Sequence, residues 1–255
     1  MAPACRSGVD DHCGTGRAPP TLGPPPTRNG TIVPPPMPAA SADVEDPRTL
    51  DAAAVRAALT RCGRIVARHQ RELTRLDGVL GDGDHGDNLV IGFRAVDETL
   101  ASLPIDTRPG DLLRAVGHRL VAAVGGASGP LYGTACIEAG FRAGDAETLD
   151  AATIAAMLDA AADGLARRGR CRVGDKTILD TLAPSAEAFG TALRAGATPA
   201  TAYGAAVRAG VRGMHGTRDL VARRGLAMRL GERSVGHRDP GAVSCLLLLC
   251  ALGGR

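Results

Sequence analysis

Residues 50–86 read LDAAAVRAALTRCGRIVARHQRELTRLDGVLGDGDHG, and the change of pattern inside that stretch decides the fold. Val55, Leu59, Cys62, Ile65, Val66, Leu73 and Leu76 recur at intervals of three and four, the spacing of one buried helix face. The pattern then breaks at an acidic, glycine-rich loop, and a second helical pattern begins beyond it. The same alternation fills the remainder of the chain. Helices are expected at about 50–75, 87–102, 111–124, 131–143, 150–168, 176–195, 199–223 and 240–252, eight in all with no convincing strand. The fold class is therefore all-α. Aromatic residues make up only 2% of the chain and Trp is absent, whereas Ala, Leu, Val and Gly abound. Such a composition suits helices packed through small contact residues better than a β-sandwich.

A length of 255 residues supports one domain with a substantial core rather than two large ones. Residues 1–46 contain Pro24-Pro25-Pro26 and Pro34-Pro35-Pro36 and few large apolar side chains, so burial cannot offset their ordering entropy. We expect a disordered tail there, part of it untranslated if synthesis starts at Met37, and a helical domain over residues 47–255. The net charge of +3 offers no basic face for nucleic acid. Cys5, Cys13, Cys62, Cys136, Cys171, Cys245 and Cys250 form no C-x-x-C pair, which argues against a zinc site and against a disulfide framework. The longest apolar run, Val243 to Leu252, is far shorter than the roughly 18 residues needed to span a membrane. No apolar signal core precedes the domain, so the expected location is the cytoplasm.

The connections carry the chemistry. Gly81-Asp82-Gly83-Asp84-His85-Gly86, Gly125-Gly126-Ala127-Ser128-Gly129-Pro130, Gly174-Asp175-Lys176-Thr177 and Gly236-His237-Arg238-Asp239-Pro240-Gly241 each stand immediately before an expected helix. Loops that feed helix N-termini present free N–H groups and the positive end of the macrodipole, both favourable to phosphate. Four such loops in one bundle imply one shared site.

The string Gly81-x-Gly83-x-x-Gly86 matches a dinucleotide fingerprint, but that motif has meaning only after a β-strand, and here a helix precedes it. Asp82 and Asp84 would also face a pyrophosphate, and two unit charges about 5 Å apart repel by roughly 3 kcal/mol at an effective dielectric of 20. An EF-hand fails as well, because counting from Asp82 its glycine and glutamate positions hold Asp87 and Phe93. What remains is a divalent-cation site. Asp77, Asp82 and Asp84 lie within eight residues, and the intervening glycines allow their oxygens to converge. Magnesium suits this donor set, and two ions between the carboxylates and a nucleotide would turn repulsion into attraction. The same aspartates could instead serve only as helix caps, although capping needs one and not three. His85 and Asn88 follow directly, within reach of phosphate or ribose.

In GGASGPLYG, Pro130 can start a helix and leave the Ser128 hydroxyl beside an anion, although small residues at a helix crossing would read the same way. Gly169-x-x-x-x-Gly174-Asp175-Lys176-Thr177 approaches a P-loop, yet Asp175 stands where the lysine belongs and no strand leads in. Lys176 is equally readable as a helix-start ion pair. Arg233 is a candidate anion clamp, and Asp239-Pro240-Gly241 supplies an N-cap and a first-turn proline.

Taken together, LTRLDGVLGDGDHGDN, GGASGPLYGT, GDKTILD and LGERSVGHRDPGA resemble, in order and approximate spacing, the L subunit of dihydroxyacetone kinase, from about residue 50 to the C-terminus. The resemblance implies an antiparallel eight-helix barrel that holds ADP or ATP and two magnesium ions at one end. Its metal ligands fall on Asp77, Asp82 and Asp84. Its nucleotide contacts fall on His85, Asn88, Ala127, Ser128, Gly169, Ile178 and the Asp239-Pro240-Gly241 turn. The resemblance also implies partners: a K subunit whose histidine traps dihydroxyacetone, and a phosphohistidine protein that re-phosphorylates bound ADP. A related branch fuses K and L domains and uses ATP directly, and this chain holds no K-type segment. Whether the chain forms a homodimer is left open.

One position departs from the pattern. The family has G-R-A-S-Y before LGERS, with its arginine on nucleotide phosphate, and here the stretch reads Gly225-Leu226-Ala227-Met228-Arg229. Arg224, Arg229 and Arg233 are the nearby replacements. The departure keeps open an ATP-dependent kinase subunit for another short ketose, or a nucleotide-sensing regulatory module. A regulator would bind nucleotide without turnover.

Overall fold

The computed structural model describes residues 49–254, so the expected tail lies outside the described residues. Two three-residue strands, β1 (Thr49–Asp51) and β2 (Thr148–Asp150), pair antiparallel with Leu50 opposite Leu149. No strand was expected, yet the sequence repeats itself here: TLDAA occurs at residue 49 and again at residue 148. In each copy the aspartate ends the strand and caps the helix behind it. Asp51 accepts from the Ala54 N–H at 2.8 Å and Asp150 from the Thr153 N–H at 2.7 Å.

The helices are α1 (Ala52–Leu80), α2 (His85–Ser102), α3 (Pro109–Ala123), α4 (Ser128–Ala143), α5 (Ala151–Gly169), α6 (Leu179–Arg194), α7 (Pro199–Gly216) and α8 (Pro240–Leu252). Each of α1 to α7 packs on the next in chain order, and α8 closes the ring by packing on α1, α6 and α7. This is the expected all-α barrel. Helix α8 is buried from Val243 to Ala251, which explains its apolar character on every side. Glycines set a close seam between α3 and α4: a Cβ on Gly117 of α3 would stand 2.6 Å from the Gly133 carbonyl of α4, and one on Gly133 would stand 2.6 Å from the Gly117 carbonyl. Inside the ring, Leu59, Cys62, Phe93, Leu120, Met157 and Leu248 surround an apolar cavity of about 240 Å³. Cys62, Cys136, Cys171, Cys245 and Cys250 are all free thiols. No helix of the described residues is long and apolar enough to cross a membrane.

Several helix boundaries differ from the sequence expectation, and those of α1, α6 and α7 reshape the site. Helix α1 runs on to Leu80, because Leu80 continues the buried stripe of Leu73 and Leu76. Asp77 therefore sits on the last helical turn and not in the loop. Helix α6 begins at Leu179, after Lys176 adopts φ +62°, a left-handed conformation that ends any helical run through it. Helix α7 stops at Gly216, and residues 217–239 form an irregular excursion with two short 3₁₀ segments, Thr217–Asp219 and Leu226–Ser234.

Candidate functional site

At the turn between α1 and α2, the Asp77 carboxylate organises the loop that follows it. Its Oδ2 accepts from the backbone N–H groups of Gly83 (3.0 Å), Asp84 (3.0 Å) and His85 (3.2 Å). Gly83 takes φ +76° and folds back onto Gly78 of the helix, where a Cβ would already touch the Gly78 Cα at 3.4 Å. The result brings one ligand oxygen from each of Asp77, Asp82 and Asp84 within 4.8 Å of the others. A Cβ on Gly81 would stand 2.5 Å from Asp77 Oδ1, so glycine keeps that second oxygen open. The Asp84 carboxyl is pushed up, first by loss of solvent and further by Asp82 and Asp77, while a hydrogen bond from Asn88 opposes the shift. Clustered carboxylates that repel one another, with oxygens still free, are the donor set of a hard divalent cation. The residues present therefore fit magnesium.

These carboxylates open into a cavity of about 360 Å³ that all four polar loops help to line. Ala127 and Ser128 come from the α3–α4 loop, Gly169 and Ile178 from the α5–α6 connection, and Asp239, Pro240 and Gly241 from the start of α8. Asn88 is the exception among the expected residues. It stands half-buried behind the wall, close to Gly125, where a Cβ would meet its Oδ1 at 2.9 Å. Arg229 and Arg233 are exposed and do not line the cavity, whereas Arg224 and Leu226 do.

His85 is buried, and both ring nitrogens already have partners: Nδ1 lies 3.0 Å from Ser128 Oγ and Nε2 lies 2.8 Å from Ser244 Oγ. Burial lowers its pKa, with Asp77 opposing, so the neutral ring is favoured. The ring therefore spans the site and fixes the Ser128 hydroxyl. Behind it, Tyr132 Oη lies 2.6 Å from Ser244 Oγ, and the Ser244 hydroxyl donates to the Gly241 carbonyl at 3.0 Å. Sequence reasoning missed Tyr132 and Ser244. The available signal was a single serine in an otherwise apolar α8. Helix α4 starts at Ser128 without a side-chain cap, which leaves its first N–H groups directed at the cavity.

Lys176 is neither a phosphate lysine nor an ion pair. It is 1% exposed, and its ammonium shares three N–H donors among the carbonyls of Thr217 (2.7 Å), Leu220 (3.3 Å), Ser234 (2.8 Å) and His237 (2.5 Å). Burial lowers its pKa, with Asp239, Asp219 and Asp180 opposing. One buried amine thus gathers the whole 217–239 excursion onto the start of α6. Asp180 does the complementary work, accepting from the N–H groups of Gly174 and Thr177. Asp239 caps α8 through the Ala242 N–H at 2.7 Å. Its burial pushes the Asp239 carboxyl up to about 7, with the Ala242 hydrogen bond opposing.

This architecture has relatives. The DAK2 domain model matches residues 79–254, and the chain belongs to that family. The ADP-binding subunit DhaL of the PEP-dependent dihydroxyacetone kinase of Escherichia coli K12 is 38% identical over 191 residues, covering 75% of this chain and 90% of that protein. D-erythrulose kinase of Mycolicibacterium smegmatis is 39% identical over 197 residues, covering 73% of this chain and 32% of that longer protein. Among solved structures, the dihydroxyacetone kinase of C. freundii in complex with AMP-PNP and Mg2+ superposes with a TM-score of 0.60 at 24% identity. The match covers 85% of this chain and 36% of that one, and it establishes the shared fold.

Proposed function

We propose that the domain spanning residues 47–255 is the nucleotide-binding subunit of a cytoplasmic ketose kinase, passing phosphoryl from a bound nucleotide to dihydroxyacetone held on a separate K subunit. The observation that carries this reading is the convergence of Asp77, Asp82 and Asp84 on a cavity walled by helix N-termini. Magnesium, bound by these three carboxylates, would neutralise charge on the phosphate chain. The uncapped α4 N-terminus and Ser128 orient a phosphate, and His85 holds the Ser128 hydroxyl in place from behind. Gly169, Ile178 and the Asp239-Pro240-Gly241 turn enclose the rest of the nucleotide, with Asn88 buttressing the loop in front of it. Two ions, with ADP retained and re-phosphorylated by a phosphohistidine protein, complete the reading. It is supported by the likeness to a PEP-dependent, ADP-binding subunit.

A second acceptor has its own support. The similarity to D-erythrulose kinase is as strong in identity as that to the E. coli subunit, so a four-carbon ketose is the alternative substrate, with ATP as donor. The test is reconstitution of the purified chain with magnesium, nucleotide and a K subunit, supplied with dihydroxyacetone or erythrulose. The chain alone should yield no triose phosphate, because a small neutral substrate must be held in line for transfer and such positioning is worth several kcal/mol of barrier. Product should appear when the K subunit is added. Robust turnover by the isolated chain would refute the division of labour, and nucleotide binding without turnover in every combination would favour a regulatory module. ADP released in stoichiometric amount on denaturing the pure protein would support the phosphohistidine-fed route.

A further inference from the structure

A cavity that combines three carboxylates with a nucleotide needs positive charge of its own to orient the phosphates. Three basic residues line it: Arg168, Lys176 and Arg224. Lys176 is withdrawn, because its ammonium is engaged by four backbone carbonyls. Arg168 is exposed in the last turn of α5, where it complements the helix dipole, and no ion pair among the described residues holds it.

Arg224 is different. Its Nε lies 3.3 Å from Oδ2 of Asp175, a carboxylate only 3% exposed, while Arg224 itself is half-exposed. Asp175 is fixed in turn: its Oδ2 accepts from the Arg172 N–H at 3.2 Å. Its backbone carbonyl accepts from the Arg223 N–H at 3.0 Å, which also anchors the chain one residue before Arg224. Beyond Arg224, Gly225 takes φ +62°, and Gly225, Leu226 and Ala227 continue the cavity wall. A guanidinium pinned by Nε keeps its two terminal nitrogens for an anion, and Nη1 makes only a 3.4 Å contact, to the Arg223 carbonyl. A planar fork that is already oriented loses little freedom when it grips a phosphate.

We propose that Arg224, oriented by the buried Asp175, is the side chain that contacts the phosphates of the bound nucleotide. The inference rests on the nucleotide reading above and names the residue that discriminates among nucleotides by phosphate number. It is tested on the full chain with magnesium by measuring the affinity of ADP, AMP and adenosine, the weaker ligands by displacement of a fluorescent nucleotide. Arg224→Gln should weaken ADP about ten- to a hundredfold, the worth of a charge-assisted contact, weaken AMP less, and leave adenosine unchanged. Arg224→Lys, which keeps the charge and loses the fork, should fall between. An equal loss for all three ligands would overturn the inference, because it would mean that Arg224 merely braces the wall. So would unchanged ADP affinity in Arg224→Gln, with the nucleotide reading left standing. Failure of the unaltered chain to bind ADP at all would overturn both.

Discussion

Two loops rich in glycine and aspartate lead into helices of this chain, and they use their charges in opposite ways. In the loop before α2, Asp82 and Asp84 are exposed and only Asp77 spends an oxygen on the backbone. In the loop before α6, Asp175, Lys176 and Asp180 are all buried; Lys176 and Asp180 close on backbone groups of the protein, and Asp175 divides its carboxylate between the Arg172 N–H and the Arg224 guanidinium. The first loop leaves carboxylate oxygens exposed. The second uses its polar groups to hold the 217–239 excursion, and with it the cavity wall from Arg224 to Ala227. Composition does not separate a binding loop from a scaffold loop. The destination of each hydrogen bond does, because a buried polar group must be satisfied from within, whereas an exposed one can wait for a ligand.

The comparison breaks most visibly if the exposed carboxylates are removed. Asp82→Asn combined with Asp84→Asn should abolish magnesium-dependent ADP binding in titration calorimetry and leave helical content by circular dichroism intact. Undiminished binding would remove the metal assignment. The scaffold loop should respond in the reverse sense. Lys176→Met leaves buried carbonyls without a donor, at about 1–3 kcal/mol each, so a destabilisation of about 3 kcal/mol or more is expected. In a domain of this size that lowers the melting temperature by roughly 6–12 °C. A negligible change would mean that water replaces the amine and the loop is no scaffold.

A third effect is smaller and depends on pH. Burial pushes the folded Asp239 carboxyl up to about 7 from its ordinary 3.8, so the native state holds the proton more tightly than the unfolded chain. Its contribution to stability is complete below about pH 4 and is lost as pH rises through about 7. The melting temperature of the ligand-free protein should therefore fall across that window. Asp239→Asn keeps an N-cap acceptor and should flatten the fall; an unchanged slope would assign it to other groups. The smallest effect concerns Leu226, an exposed apolar residue on the cavity wall next to Arg224. Leu226→Arg should raise ADP affinity by about tenfold, through a second charge-assisted contact. No gain would mean that Arg224 already saturates the accessible phosphate oxygens.

Periodicity alone located the helices, because burying one face imposes a spacing of three and four whatever lies opposite. The acidic, glycine-rich spacing likewise singled out Asp77, Asp82 and Asp84, whose oxygens the fold brings within 4.8 Å of one another because a tight turn joins them. Local signals failed where long-range partners decided the outcome. The left-handed Lys176 and the early end of α7 at Gly216 are set by an amine that reaches carbonyls 41 to 61 residues away. His85 read as a site residue because it stands beside the acidic cluster, and only the fold shows Ser128 and Ser244 on either side of its ring, the latter 159 residues away. Sequence thus determined the helical class, the acidic loop and the family. Tertiary structure alone decided which polar side chains remain free to meet a ligand, because that depends on which backbone groups burial has left in need of a partner.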